Sequence, residues 1–181
     1  MPLNITFSTN PYDILSPDDR WHPNSEQEEL FKAEKFRFLP PLVYKIRQEV
    51  AQWRNSGYKG ASETSRSLLY HWFSRHDKKR NEMGEEYPSE FRYYFAQREA
   101  VESVIYLYEV KKVQDKYDLM KFDSTGLVSG AMFSEEWLRF VLKLATGAGK
   151  TKIISLIIAW SFFHKTYEAN STLSRNVLLI A

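Results

Sequence analysis

The sequence predicts an α/β fold, with a mainly helical amino-terminal region preceding an incomplete parallel sheet. Three observations carry that prediction. Apolar runs of strand length stand at residues 140–144 and 176–181. A turn of small residues separates the first run from a long apolar helical pattern that begins at Lys150. Upstream, apolar residues recur at three- and four-residue steps, the period of an amphipathic helix.

Taken in order, residues 1 to about 39 carry turn formers at Asn10-Pro11, Ser16-Pro17-Asp18-Asp19 and Pro23-Asn24, without a sustained period. They read as an extended, wrapping segment pinned by Tyr12, Trp21, Phe31 and Phe36. Its acidic patch at residues 26–29 reads as a solvated turn of helix. Pro40-Pro41 opens the first helix, where the missing N–H of proline costs nothing. Val43, Ile46, Val50 and Trp53 form its apolar stripe, and Gly57 ends it. Ser62 is placed to cap a second helix that buries Leu68, Leu69, Trp72 and Phe73. The two helices are expected to pack as an αα-hairpin. Residues 78–86 form a mixed charged run and read as an exposed linker, with Lys78, Lys79 and Arg80 as the candidate basic contact to DNA.

A third amphipathic helix follows the aromatic tract from Phe91 and continues through Val101, Val104, Ile105 and Tyr108 to about Lys112. Residues 115–136 are irregular, with turns at 123–126 and 129–130 that suit a short hairpin. The helix from Lys150 to about Thr166 is apolar on most sides, at Ile153, Ile154, Leu156, Ile157, Ile158 and Trp160. That composition fits a helix held between a sheet and other elements. Residues 170–175 are a polar loop, and residues 176–181 read as a strand buried on both faces. The organisation is therefore a wrapping segment and helical hairpin at 1–88, then a second region at 89–181 that holds the third helix, the turn of small residues and the long apolar helix.

Composition sets the bounds. A chain of 181 residues suits one domain, or a small domain with part of another. Hydrophobic residues at 43% and aromatics at 15% are enough for a packed core, so the chain is not of disordered type. A net charge of +2 makes no argument for nucleic acid by itself. The absence of cysteine removes disulfide scaffolds, thiolate metal sites and cysteine nucleophiles. None of His22, His71, His76 and His164 has metal-ligand spacing with its neighbours. The first residues lack the pattern of a signal peptide. The apolar stretch at 153–163 is far short of the roughly 20 residues that a membrane-spanning helix needs. No membrane is expected, and a nucleotide site favours the cytoplasm.

The chemistry is concentrated at Ala145-Thr146-Gly147-Ala148-Gly149-Lys150-Thr151. A glycine-rich loop between a strand and a helix, closing on Gly-Lys-Thr, is the context of a phosphate loop. Gly147 and Gly149 let successive N–H groups turn inward into a concave anion nest. The positive end of the following helix faces the same point. Lys150 would reach the β- and γ-phosphates, and the Thr151 hydroxyl would ligate Mg2+. One departure is Leu144, which stands where the general pattern has a further glycine. Upstream, Gln97 follows a cluster of aromatics that ends in Phe95. A primary amide can accept from and donate to the adenine edge while an aromatic face stacks on the base.

The blocks Phe95-Ala-Gln-Arg-Glu-Ala-Val101, Leu144 to Thr151 and Ile157-Ile-Ala-Trp160 resemble the ATPase part of type III restriction enzyme Res subunits. These are DEAD/DEAH-type helicases of superfamily two. Trp53 to Ser62 and Leu68 to Phe73 resemble the amino-terminal region of the same proteins. The resemblance implies an ATP-driven helicase or translocase on double-stranded DNA, with two RecA-like lobes, in company with a methylase (modification) subunit. It makes Gln97 the adenine-reading glutamine, with Phe95 near the base. Thr146, Gly147, Ala148, Gly149, Lys150 and Thr151 become the cradle for ATP and Mg2+, with Lys150 the catalytic lysine. The family's Asp-Glu box, second lobe and arginine finger have no counterpart here. The chain thus reads as the front end of a larger protein, inactive in ATP hydrolysis on its own. In that family later strands separate 140–144 from 176–181. Here the two are expected to pair directly, to pair with another chain, or to leave a gap.

Two other readings compete. Asp18 with Glu109-Val110-Lys111 has the residue types of a restriction nuclease. That chemistry wants both Glu109 and Lys111 on a strand, though, and a helical pattern makes them diverge. Alternatively the aromatic-rich hairpin is a non-catalytic interaction module that docks another subunit of a DNA-processing complex.

Overall fold

A computed structural model describes residues 10–17, 42–74, 78–80, 83–84, 86–88, 91–123, 125–132 and 141–178. Within them the chain builds five α-helices: α1 Val43–Asn55, α2 Glu63–Phe73, α3 Phe95–Ile105, α4 Lys116–Met120 and α5 Lys150–Tyr167. A π turn, Tyr106–Val110, continues α3, and a single 3-10 turn spans Gly130–Met132. Between α2 and α3, the backbone of β1 Lys78–Arg80 pairs antiparallel with β2 Glu86–Pro88, Lys79 opposite Tyr87.

The parallel sheet of a RecA-like domain is absent among the described residues, which overturns the α/β expectation. Residues 141–144 and 176–178 are irregular and make no β pairing; residue 140 and residues 179–181 lie outside the described set. The physical reason is that a strand is a property of two segments. Its N–H and C=O groups need a neighbouring ladder, and neither run meets one. Of the three expected outcomes, direct pairing of the two runs does not occur. Val141, Val177 and Leu178 are 87%, 49% and 84% exposed instead of being buried on both faces.

The helices form where local signals are strong. Arg54 O accepts the Gly57 N–H and Trp53 O accepts the Tyr58 N–H, so the paired bonds of a Schellman motif end α1 at the predicted glycine. Ser62 Oγ accepts the Ser65 N–H at 3.1 Å, which makes Ser62 the predicted cap of α2. α1 and α2 do not form the expected hairpin pack. α1 lies mainly on α3, while α2 lies on α5 and α3. Where a hairpin was predicted within 115–136, the described residues hold α4, which Asp115 caps through the Asp118 N–H, and the 3-10 turn; residues 124 and 133–136 lie outside the described set.

α3 is therefore the central element. Val101 and Ile105 on α3 meet Val50 and Trp53 of α1, Leu69 of α2, and Ile153, Leu156 and Trp160 of α5 in one buried cluster. Each such side chain contributes about 1.5–3 kcal/mol by leaving water. A buried charge locks α3 to α1. Glu102 is fully buried and takes both Arg54 Nε, at 2.9 Å, and Arg98 Nε, at 2.8 Å. The Tyr58 hydroxyl donates to Glu102 at 2.6 Å and accepts from Arg98 at 2.8 Å. Burial, and then the Glu102 charge, push the Tyr58 pKa well above the usual phenol range, so this hydroxyl stays a donor.

Candidate nucleotide site

The loop ahead of α5 turns on two glycines. Gly147 has φ +80° and Gly149 φ +76°, the left-handed region where a side chain is strained. Gly149 is the N-cap of α5, so no side-chain oxygen closes that end. Among the described residues, the N–H groups of Gly149, Lys150 and Thr151 meet no acceptor, and the first inward bond of the helix is Lys152 N–H to Gly149 O at 3.0 Å. An uncapped helix end of this kind presents free N–H donors and the positive end of the helix dipole to an anion.

The side chains agree with that reading. Lys150 is exposed, and its Nζ donates to the Ala145 carbonyl at 3.0 Å, folded back over its own loop. A strongly hydrated ammonium held on a neutral carbonyl exchanges that partner readily for a phosphate oxygen. The Thr151 hydroxyl is exposed one residue on. Thr146, Gly147 and Ala148 form the outer turn, closed by Ala148 N–H to Ala145 O at 3.3 Å. The donor set fits a triphosphate with Mg2+ by its chemistry: backbone N–H groups, a cation and a hydroxyl stand at consecutive positions, and the loop holds no carboxylate.

Gln97 is brought to this loop from 51 residues away. Its Nε2 donates to the Ala148 carbonyl at 3.0 Å, and its Oε1 accepts the Tyr94 N–H at 3.0 Å. The amide is 4% exposed. Among the described residues each amide atom makes one hydrogen bond of the two it can make. A Cβ at position 149 would collide with Gln97 Nε2, so glycine there serves both the turn and the amide. Phe95 is buried at the start of α3, with the Arg54 guanidinium 5.0 Å from its ring centre. It supports the helix and offers no open face for a base.

The sequence named Ala148 as a cradle residue and Tyr12 as a pinning ring, but not the contacts that they and Lys152 make. Lys152 Nζ lies 5.3 Å over the ring of Phe91, which is 52% exposed. Tyr12, on the amino-terminal segment, packs against Tyr94 with ring centroids 5.4 Å apart. The Ala148 carbonyl is the loop atom that engages Gln97. The spacing of Lys152 from Gly149 was readable; the other two contacts are long-range and leave no local signal.

The competing nuclease reading does not assemble. Glu109 lies on the π turn, where it accepts from Ser65 Oγ at 2.5 Å and from the Ser62 N–H. Lys111 pairs with Glu49 at 2.7 Å, so the two side chains serve different partners. Asp18 lies outside the described residues. No group of three or more His, Asp or Glu residues suited to a metal ion occurs among the described residues. No described helix is long and apolar enough to cross a membrane.

Two open grooves lie elsewhere. One of about 670 Å3 is lined by Ser155, Ile158, Ala159, Phe162, Arg175 and Val177. Another of about 300 Å3 runs beside Tyr108, Trp160 and Leu173. Both flank α5 away from its first turn, and neither includes a loop residue. No protein-family model matches this chain, and comparison with curated proteins and with solved structures finds no similar one.

Proposed function

We propose that residues 146–151 bind the phosphates of ATP with Mg2+, and that this site powers an ATP-dependent DNA helicase or translocase in the intact protein. The observation that carries the reading is the contact of Gln97 with Ala148 and Gly149. A candidate base-reading amide and a candidate phosphate cradle, far apart in sequence, touch. Chance placement of a Gly-x-Gly-Lys-Thr string has no reason to produce that contact. The exposed Lys150 and the unpartnered N–H groups support the same reading.

In this role Mg2+ supplies charge neutralisation across the β- and γ-phosphates. The chain's own residues do the holding. Gly147 and Gly149 shape the cradle, the N–H groups of Lys150 and Thr151 donate to phosphate oxygens, and Lys150 adds a positive charge. Thr151 would hold Mg2+ through its hydroxyl. Gln97 would pair its spare N–H and lone pair with the adenine edge. The extension to double-stranded DNA, and to a methylase partner, rests on the resemblance to Res subunits.

The test is ATP turnover by the intact protein on double-stranded DNA. Lys150→Ala is expected to abolish DNA-stimulated turnover with the circular dichroism spectrum unchanged, because the exposed ammonium contributes little to packing. Undiminished turnover in that variant would remove the phosphate assignment.

A further inference from the structure

We propose that the amino-terminal strap, residues 10–17, is a wall of the nucleotide site, in which Tyr12 is the positioning residue that sets Gln97 for the base. The inference rests on the nucleotide reading above and adds to it the segment that establishes preference for adenine. The strap is tied to the first turn of α3 at two points. The Pro11 carbonyl accepts the Phe95 N–H at 2.8 Å, and the Tyr12 ring leans on the Tyr94 ring at an interplanar angle of 57°. Asn10 shapes the strap from within: its Oδ1 accepts the Tyr12 N–H at 3.2 Å and its Nδ2 donates to Asp13 at 2.6 Å. The Arg92 guanidinium closes over the Tyr12 ring at 5.1 Å.

The chain of contacts then runs inward. Tyr94 is the N-cap of α3, and its N–H is the donor that holds Gln97 Oε1. The other end of the same amide rests on Ala148. Tyr12 therefore stands one contact from the residue whose N–H orients the amide, two from the amide itself, and three from the glycine loop. A first-turn N–H such as that of Phe95 is ordinarily satisfied by a neighbouring side chain or water. Here a carbonyl from the distant amino-terminal segment, that of Pro11, satisfies it. Tyr12 is also 37% exposed, so its ring is not a core residue whose burial explains its place. An aromatic ring stacked with a guanidinium beside a base-reading amide is a surface of the kind on which bases rest. Loss of the ring frees Tyr94 and lets the amide turn from the base, while the phosphate cradle keeps its shape.

The experiment is titration calorimetry of the full chain with Mg·ATP, Mg·GTP and Mg·tripolyphosphate, in the wild type, Tyr12→Ala and Tyr12→Phe. The wild type should prefer ATP to GTP. Tyr12→Ala should weaken ATP about two- to tenfold, the range of an aromatic pair contact, and bring the ATP-to-GTP ratio near one. Tripolyphosphate affinity should not change. Tyr12→Phe should restore selectivity, since the ring and not the hydroxyl makes the contacts. Selectivity unchanged in Tyr12→Ala overturns the inference, as does an equal loss for ATP and tripolyphosphate, which marks a purely structural role. A wild type that binds ATP, GTP and tripolyphosphate alike overturns the inference and leaves the phosphate reading standing. One that binds none of them overturns both. Should circular dichroism show Tyr12→Ala unfolded, Asn10→Ala, which loosens the strap and keeps the ring, is held to the same outcomes.

Discussion

The two sides of the molecule that flank α5 and its loop are built differently. Toward α1, α2 and α3, apolar side chains are buried and polar groups are paired. Glu102 has three partners, and Trp160, 2% exposed, donates its indole N–H to Ser65 Oγ at 2.8 Å. On the other side, Ile154 and Phe162 are 40% and 45% exposed, and the flanking runs at 141–144 and 176–178 have no ladder. The glycine loop ahead of α5 sits at the junction. Its backbone rests on Gln97, which belongs to the packed side, while Val141 and Leu142 ahead of it belong to the open one. Among the described residues, what holds the loop in place is thus α3, through Gln97.

The largest expected effect breaks the packed side. Glu102→Ala leaves the Arg54 and Arg98 charges and the Tyr58 hydroxyl buried without their acceptor. Such a change costs about 3–5 kcal/mol, read as a fall in the midpoint of urea unfolding. Phe162→Ser sharpens the contrast, because this exposed ring should change stability by no more than about 0.5 kcal/mol. A cost of several kcal/mol at Phe162 would show that the open face is covered in solution.

The smallest effect concerns acid. Glu168 Oε1 accepts the Thr64 N–H at 3.1 Å, tying the C-terminal end of α5 to the first turn of α2. Hydrogen bonds from the Thr64 side chain and then its backbone hold the Glu168 carboxyl below its ordinary value of 4.5. A depressed pKa stabilises the fold above the unfolded value, and the contribution is lost as pH falls below about 4.5, through the folded value. Glu168→Gln should therefore lower the neutral plateau slightly and flatten the acid limb, so that the two profiles converge below the folded value. An identical acid limb in both proteins would contradict the assignment.

The same contrast explains what was legible. Ser62, Gly57 and the span of α5 were readable because caps and helical periods are written within a few residues. Gln97 and the loop were readable separately, and the structure brings them together. The strands were misread at residues 141–144 and 176–178, which have strand composition, but composition supplies no partner. Glu102 was passed over although Arg98 and Glu102 stand four apart on one helix face; the partners that bury them, Arg54 and Tyr58, come from the other side of α3. Phe95 was chosen as a base contact for its place in a motif, and its ring turns inward onto Arg54. Tyr12 was readable as a pinning ring, but in a segment without periodicity no local rule names its partners, Tyr94 and Arg92.

The central claim is that the loop before α5 takes phosphate and is steadied by Gln97. Backbone and side-chain amide NMR of the 181-residue chain, titrated with Mg·ATP, tests it at the atoms concerned. The account predicts that the N–H signals of Gly147, Gly149, Lys150 and Thr151 shift first and together, along with the Gln97 side-chain NH2, and that Lys150→Ala suppresses all of them. Shifts confined to the grooves around Ile158 and Phe162, or none at millimolar nucleotide, would contradict it.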